Sequence, residues 1–301
     1  MSVTEDRQGA NTVLAGSGRG KITAVFSDIS SNIVKLMCCN ILFVIFNIPA
    51  MGIAYLIVAF ILPKFSTGLA SEEFVSTLVG MGLHGETNRS NDITGTDAAV
   101  SLYILLIVFC IMLLVTSLLV CVGPVQAGFA KVYAALSGGS GSSIKEFKAG
   151  FAQNLKQSIP AMLISVAVTF ICLLSVSFYL SLGLVPLAAL FAVILAFLPL
   201  IQSIVYRTMV TEDLKLWQMY KNAVLMMLIK FLPSLGMAVL NAVVFAVVPF
   251  VLLMSSQLVM IGIYVFLYMF ILTAVMHYLN SIYAESLIRR FVSTDKEEHD
   301  D

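Results

Sequence analysis

A run of 48 residues without a charged side chain, residues 159–206, constrains this chain more than any other feature of its sequence. A helix of about 20 apolar residues crosses a hydrocarbon core ~30 Å thick, so the run is long enough to cross twice. Gly and Pro occur near its midpoint, in residues 181–186, and predict a turn between two helices. The run therefore predicts two membrane-spanning helices.

Comparable apolar stretches occupy most of the remaining chain. The first covers residues 33–62, with its membrane-buried part predicted from Asn40, and the second covers residues 100–122. The last covers residues 231–283 and is divided by polar residues at 254–257, which predicts two helices. No Asp, Glu, Lys or Arg lies in the middle of any of these stretches.

The predicted fold class is therefore all-α: a bundle of six transmembrane helices arranged as three hairpins. This domain is predicted to cover residues 21–290, with a long extracellular loop at 63–99. Residues 1–20, which are rich in Gly, Ser and charge, and the acidic tail 291–301 are predicted to be disordered.

The distribution of positive charge predicts the orientation. Fifteen of the 17 Lys and Arg residues fall in the two terminal segments and the connections 123–158 and 207–230, whereas Lys64 and Arg89 lie in the 63–99 loop. Lys and Arg mark the cytoplasmic side of short loops. Both termini are therefore predicted to be cytoplasmic, in a plasma membrane.

Composition excludes several other classes of protein. The chain is 59% hydrophobic and 11% charged, against about 25% charged residues in a soluble domain. Its formal net charge is zero, which argues against a nucleic-acid partner. The five cysteines lie in or beside the apolar stretches without His at metal-ligand spacing, so neither a disulfide framework nor a metal site is expected.

An amphipathic helix is predicted on the cytoplasmic side before each hairpin. Ile144, Phe147, Phe151 and Leu155 follow the 3, 4 and 7 spacing of one helical face, and residues 22–33 and 217–227 have similar patterns. Such helices either lie in the membrane interface or pack beneath the bundle as elbow helices. The lipid bilayer is the first expected partner.

Deep polar residues are few, and they define a candidate polar path through the membrane. Its members are Asn47, Asn241, His277 and Asn280. A buried polar contact between helices and a proton relay are the two interpretations of His277 and Asn280. No phosphate-binding Gly-rich loop, zinc motif or nucleophile elbow is present, so neither an enzyme nor a bound cofactor is expected.

Two blocks on the predicted cytoplasmic side share a distinctive pattern with a known family. A Gly-Pro-x-x-Ala-Gly turn follows the second span, and a Phe-rich amphipathic helix then ends in Asn-x-Lys-Gln. The residues that match this pattern are Gly123, Pro124, Ala127, Gly128, Phe147, Phe151, Asn154 and Lys156. In these residues the chain resembles the YesL-like family of bacterial membrane proteins. The resemblance covers residues 30–160, and the chain departs from the family in the inserted loop 63–99.

The resemblance implies a non-enzymatic accessory or regulatory role in a carbohydrate uptake system. On this hypothesis the 123–157 block and the elbow helices contact a transporter complex, and self-association is a further option. The alternative is a small-solute uniporter or channel that uses the polar path. A third interpretation makes the acidic 63–99 loop a sensor for extracellular cations or ligands.

Overall fold

The computed structural model describes residues 18–65, 115–139, 144–254 and 258–292. Of these residues 92% are helical, and none of them belongs to a β-strand. The predicted outer loop lies outside the described residues beyond Phe65, and the second span is described only from Val115. Nearly all of the two terminal segments also lies outside these ranges.

Twelve α-helices and three π-helical turns make up the described chain. In chain order the α-helices are α1 Gly18–Ser31, α2 Ile33–Phe46, α3 Ile48–Phe65, α4 Gly123–Ser137, α5 Ile144–Gln153, α6 Leu155–Ser181, α7 Val185–Thr211, α8 Leu216–Ile229, α9 Phe231–Ala242, α10 Val248–Met254, α11 Leu258–Leu267 and α12 Thr273–Val292. The π-helical turns are Val115–Leu119, Val243–Val247 and Tyr268–Leu272.

Four helical segments are long and apolar enough to cross a membrane. They are Leu155–Ser181, Val185–Thr211, Phe231–Leu252 and Val259–Arg290. The first two are α6 and α7, which pack against each other. They are joined by a turn in which Gly183 has a φ of +71°, within the predicted segment 181–186. The all-helical class is confirmed, and the four apolar helices indicate a multi-pass membrane protein.

The apolar run 33–62, predicted to hold the first span from Asn40, is interrupted at Asn47 and preceded by a bend. The chain bends by 74° between the segments Val25–Ser31 and Ile33–Phe46, and a second interruption at Asn47 separates α2 from α3. Pro49 lies at the second position of α3, where its missing N–H cannot bond to the preceding turn. Helix α3 then continues to Phe65, three residues past the predicted end.

The polar connection predicted at 207–230 is mostly helical. Helix α7 continues to Thr211, and after a short irregular segment the chain forms α8, Leu216–Ile229. Helix α12 likewise continues to Val292, beyond the end of the last apolar run. Charged residues near the ends of the spans therefore lie on helices, and Arg207 is buried within α7.

The amphipathic patterns at 144–155 and 217–227 correspond to the separate helices α5 and α8. A single residue separates each of them from the following long helix: Asn154 precedes α6, and Lys230 precedes α9. The side-chain amide of Asn154 donates to the carbonyl oxygen of Gly150 at 3.0 Å. The amide therefore occupies a carbonyl at the end of α5, where the helix leaves such groups unpaired.

Helix α7 is central to the packing of the described helices. It contacts α4, α6, α8, α9 and α12, and its residues 197–200 and 202–209 are all buried. Leu200 and Ile204 are fully buried in a core cluster that includes Met219 of α8 and Leu287 of α12. This packing carries polar residues of α7 into the interior.

Close contact between α4 and α5 depends on two glycines. A Cβ atom on Gly150 would lie 2.7 Å from the carbonyl oxygen of Ala127, and one on Gly128 would lie 2.6 Å from the ring of Phe147. Neither separation is compatible with an ordinary side-chain contact, so the two helices approach along their backbones. Comparable packing of small residues is typical of helices in membranes.

We predict that Gly150→Ala destabilises the protein, because the added methyl group overlaps the backbone of α4. Overpacking of this kind typically costs about 1–3 kcal/mol. The matched control is Gly236→Ala, since a Cβ atom on Gly236 meets nothing within 4 Å and alanine favours a helix. The free energy of unfolding in detergent should fall only for Gly150→Ala, and equal values for the two variants would contradict this packing.

Candidate functional site

Polar side chains spaced four residues apart form a stripe along α12. Thr273, His277, Ser281 and Glu285 share one helical face because this spacing is close to one turn. Thr273, His277 and Ser281 are buried, and the side chain of Glu285 is 13% exposed. The stripe meets polar residues of α4 and α7. We call this set the polar seam: Gln126, Ser137, Gln202, Arg207, His277, Ser281 and Glu285.

A buried ion pair forms one end of the polar seam. Arg207, whose side chain is 4% exposed, donates from Nη2 to Oε2 of Glu285 at 2.7 Å. Its Nη1 donates to the hydroxyl of Ser281 at 3.1 Å, and Ser137 donates to the same Glu285 oxygen at 2.8 Å. Arg289 pairs with the other carboxylate oxygen. A buried guanidinium is tolerated only when it is paired in this way.

Amide and imidazole groups form the middle of the polar seam. Nε2 of Gln126 lies 3.3 Å from Nδ1 of His277. Gln202 donates from its amide to the hydroxyl of Tyr220 at 3.1 Å, and that hydroxyl donates to the carbonyl oxygen of Ala161 at 3.3 Å. Burial raises the pKa of Tyr220, so the phenol keeps its proton and remains a donor.

A small cavity lies where these groups meet. Its volume is about 10 Å³, close to the ~10–15 Å³ needed for a single water molecule. The cavity is lined by Leu119, Cys121, Gln126, Ser165, Pro199, Gln202, Tyr206 and His277. A sugar could not occupy this space without movement of the surrounding helices.

Several buried polar atoms on the helices of the polar seam have no hydrogen-bond partner among the described residues. They are Oε1 of Gln126, Oη of Tyr133, Nε of Arg207 and Oγ1 of Thr273. A buried polar atom without a partner costs about 1–3 kcal/mol. Two of these atoms, on Gln126 and Arg207, belong to the polar seam itself, and the other two lie on its helices α4 and α12.

Asn40, by contrast, uses both ends of its amide on the backbone. Asn40 donates to the carbonyl oxygens of Tyr268 and Met269 at 2.8 Å each and accepts from the N–H of Ala274 at 2.7 Å. These backbone groups belong to the π-helical turn Tyr268–Leu272 and to the first turn of α12, where the helical hydrogen-bond pattern changes. Asn40 therefore supports this change of pattern from a different segment of the chain.

The four residues of the predicted polar path have different partners in the structure. Asn241 and Asn280 exchange two hydrogen bonds of 3.1 Å, and His277 contacts Gln126 instead. Asn47 donates to the carbonyl oxygen of Phe43 at 2.8 Å and accepts from the N–H of Val122 at 2.7 Å. Three of the four therefore lie on helices α9 and α12, and Asn47 holds the interruption between α2 and α3.

Sequence reasoning missed most of the polar seam. Gln126, Gln202, Arg207, Ser281 and Glu285 carry no motif, and the two charged residues lie at the ends of apolar runs. The detectable signal was the four-residue spacing from Thr273 to Glu285. Its partners on α4 and α7 are far apart in sequence: Arg207 and Glu285 are separated by 78 residues.

The Gly-Pro block and the Phe-rich helix pack against each other. Gly123, Pro124, Ala127 and Gly128 are all buried, so they offer no exposed surface. Phe147 and Phe151 are half-buried, and the Phe147 ring lies 5.0 Å from that of Phe129 on α4. Asn154 links α5 to α6, and Lys156 is exposed.

Comparisons of the chain with models of protein families, with curated proteins and with solved structures find no match. Among the described residues no group of three or more His, Cys, Asp or Glu side chains could hold a metal ion. The class that the structure indicates is an all-helical, multi-pass membrane protein with a closed polar seam in its core.

We predict that Glu285→Gln is strongly destabilising, because it leaves Arg207 as a buried charge without a counterion. The expected loss in the free energy of unfolding is about 3 kcal/mol or more. Arg289 is 45% exposed, and Arg289→Gln should cost less than about 1 kcal/mol. Thermal unfolding of the purified protein in detergent measures both losses. Comparable losses for the two variants would contradict the inference that the buried Arg207 requires Glu285 as its counterion.

Proposed function

We propose that this chain is a six-span protein of a bacterial plasma membrane that assists or regulates a solute uptake system, with a carbohydrate as the expected solute. In this proposal the protein neither catalyses a reaction nor carries the solute itself. The observation that supports it is the closure of the polar seam. Its groups bond mainly to one another, and the cavity of about 10 Å³ between them is too small for a sugar.

The six spans are the four long apolar helices and two further spans at residues 40–62 and 100–122. Fifteen of 17 basic residues then fall on one side, so the termini are cytoplasmic and the 63–99 loop is extracellular. Reporter fusions test this topology. A phosphatase reporter should be active in the loop after Asp92 and inactive after Asp301, and the reverse pattern would contradict the orientation.

The expected partner surface is the exposed side of the elbow helices α5 and α8. Ile144 is 72% exposed and Trp217 is 79% exposed, and Lys145 and Lys221 are exposed on the same helices. Exposed aromatic and aliphatic groups bordered by polar residues are typical of contact surfaces. The buried Gly-Pro block acts in this proposal by holding α5 against α4.

We predict that a photo-crosslinking amino acid at Gln153 or Trp217 forms adducts with a transporter subunit in native membranes. Both positions are exposed on elbow helices. The control position is Leu163, which is 58% exposed in the apolar part of α6 and should label lipid. Adducts are identified by mass spectrometry. Adducts with no transporter subunit at either test position would contradict the accessory role.

The alternative is a small-solute uniporter or channel, and the unpaired buried atoms of the polar seam favour it. Our proposal predicts no flux of sugars or ions above that of empty vesicles when the protein is reconstituted. A flux that is present in the wild type, lost in Gln126→Leu and retained in the control Gln153→Leu, at an exposed position, would establish the alternative instead. The proposed accessory role would then be wrong.

A further inference from the structure

An apolar groove lies between α2 and α5 on the surface of the bundle. Its volume is about 480 Å³, within the ~300–1,000 Å³ of sites that bind small molecules. Helix α4 forms its floor, because Phe129 and Val132 are buried there. Its apolar lining includes Val34, Leu42, Phe46, Phe129, Val132 and Phe147.

Two lysines line the same groove. Lys35 of α2 and Lys148 of α5 are both exposed, and none of the described residues that line the groove is acidic. Lysine stems cover apolar surface while their ammonium groups remain in the polar layer. The groove therefore combines apolar walls with two positive charges from opposite sides.

The outer surface of α2 beside the groove is also apolar. Met37, Ile41 and Ile45 are exposed and follow one another at a spacing of four residues, so they form a stripe next to the groove residues Val34, Cys38 and Leu42. In the proposed membrane orientation this stripe faces lipid tails. A ligand can therefore enter the groove from the bilayer without crossing water.

We propose that this groove binds an anionic phospholipid of the cytoplasmic leaflet. One acyl chain lies between α2 and α5, and the phosphate contacts the ammonium groups of Lys35 and Lys148. Charge complementarity selects this occupant, because a zwitterionic lipid offsets its phosphate with a cationic group of its own and an apolar protein segment brings no negative charge to the two lysines. The proposal relies on the membrane location given above and is independent of any transporter partner.

The first test measures lipid retained by the purified full-length protein. Native mass spectrometry of detergent-solubilised protein, titrated with phosphatidylglycerol or phosphatidylcholine, should show preferential binding of phosphatidylglycerol. Each lysine near an anionic lipid contributes about a fivefold gain in affinity, so Lys35→Gln with Lys148→Gln should weaken phosphatidylglycerol binding roughly 30-fold. The matched control is the double variant Lys156→Gln with Lys221→Gln, which removes two exposed lysines outside the groove.

The second test uses Cys38, an exposed cysteine that lines the groove. In vesicles of phosphatidylcholine with phosphatidylglycerol, maleimide should label Cys38 several-fold more slowly than in phosphatidylcholine alone. The Cys38→Ser variant identifies the signal that belongs to this thiol. The Cys38→Trp variant fills the groove without changing its charge and should abolish selective phosphatidylglycerol binding.

Four outcomes would overturn the proposal. Equal retention of the two lipids, or an equal loss of binding in the control double variant, would show that the groove lysines do not select phosphatidylglycerol over phosphatidylcholine. Equal protection of Cys38 in both kinds of vesicle would indicate a neutral lipid or a chain segment in the groove. Protection that depends on the protein-to-lipid ratio would indicate a second copy of the chain.

Discussion

Asparagine side chains bond to the backbone at three interruptions in the helices, and the rest of the structure depends on these hydrogen bonds. A helix in an apolar environment must satisfy its own backbone groups, yet this chain has breaks at Asn32, Asn47 and Asn154. At each break the asparagine side chain donates to the carbonyl oxygen four residues earlier. Asn40 supports a π-helical turn on another segment in a similar way. At Asn32 and Asn47 the same carbonyl oxygen also accepts from the backbone N–H of the asparagine, so the amide adds a second donor where one helix ends and the next begins.

The buried polar seam depends on helix α4, most of whose residues are buried. Helix α4 packs against α2, α5, α6, α7 and α12. Helix α4 then supplies Gln126 and Ser137 to a core that also contains Arg207 and Glu285. The charges are tolerated there only as a paired set, since an isolated buried guanidinium would be strongly unfavourable.

Local sequence patterns predicted local structure well. They failed where a helix break or the burial of a side chain depends on a segment far away in the sequence. The spacing of Ile144, Phe147 and Phe151 predicted α5, and Gly183 lies in a turn where the long apolar run was predicted to divide. Hydropathy could not locate the break at Asn47, because its amide acts on Val122, 75 residues away. It also placed Arg207 in a loop, because the counterion that permits its burial lies on another helix. The polar seam is a tertiary feature that no single window of sequence contains.

The interior and the surface of the described bundle differ in how their polar groups are used. Inside, polar groups are engaged with one another around a cavity of about one water molecule. Outside, α5 contributes both a wall of the apolar groove and exposed polar residues such as Lys145 and Gln153. The close approach at Gly128 and Gly150 fixes α5 on α4. A change in what the groove holds would thus act on the same helix that we propose to meet a partner, so that lipid composition and partner binding would be coupled through α5.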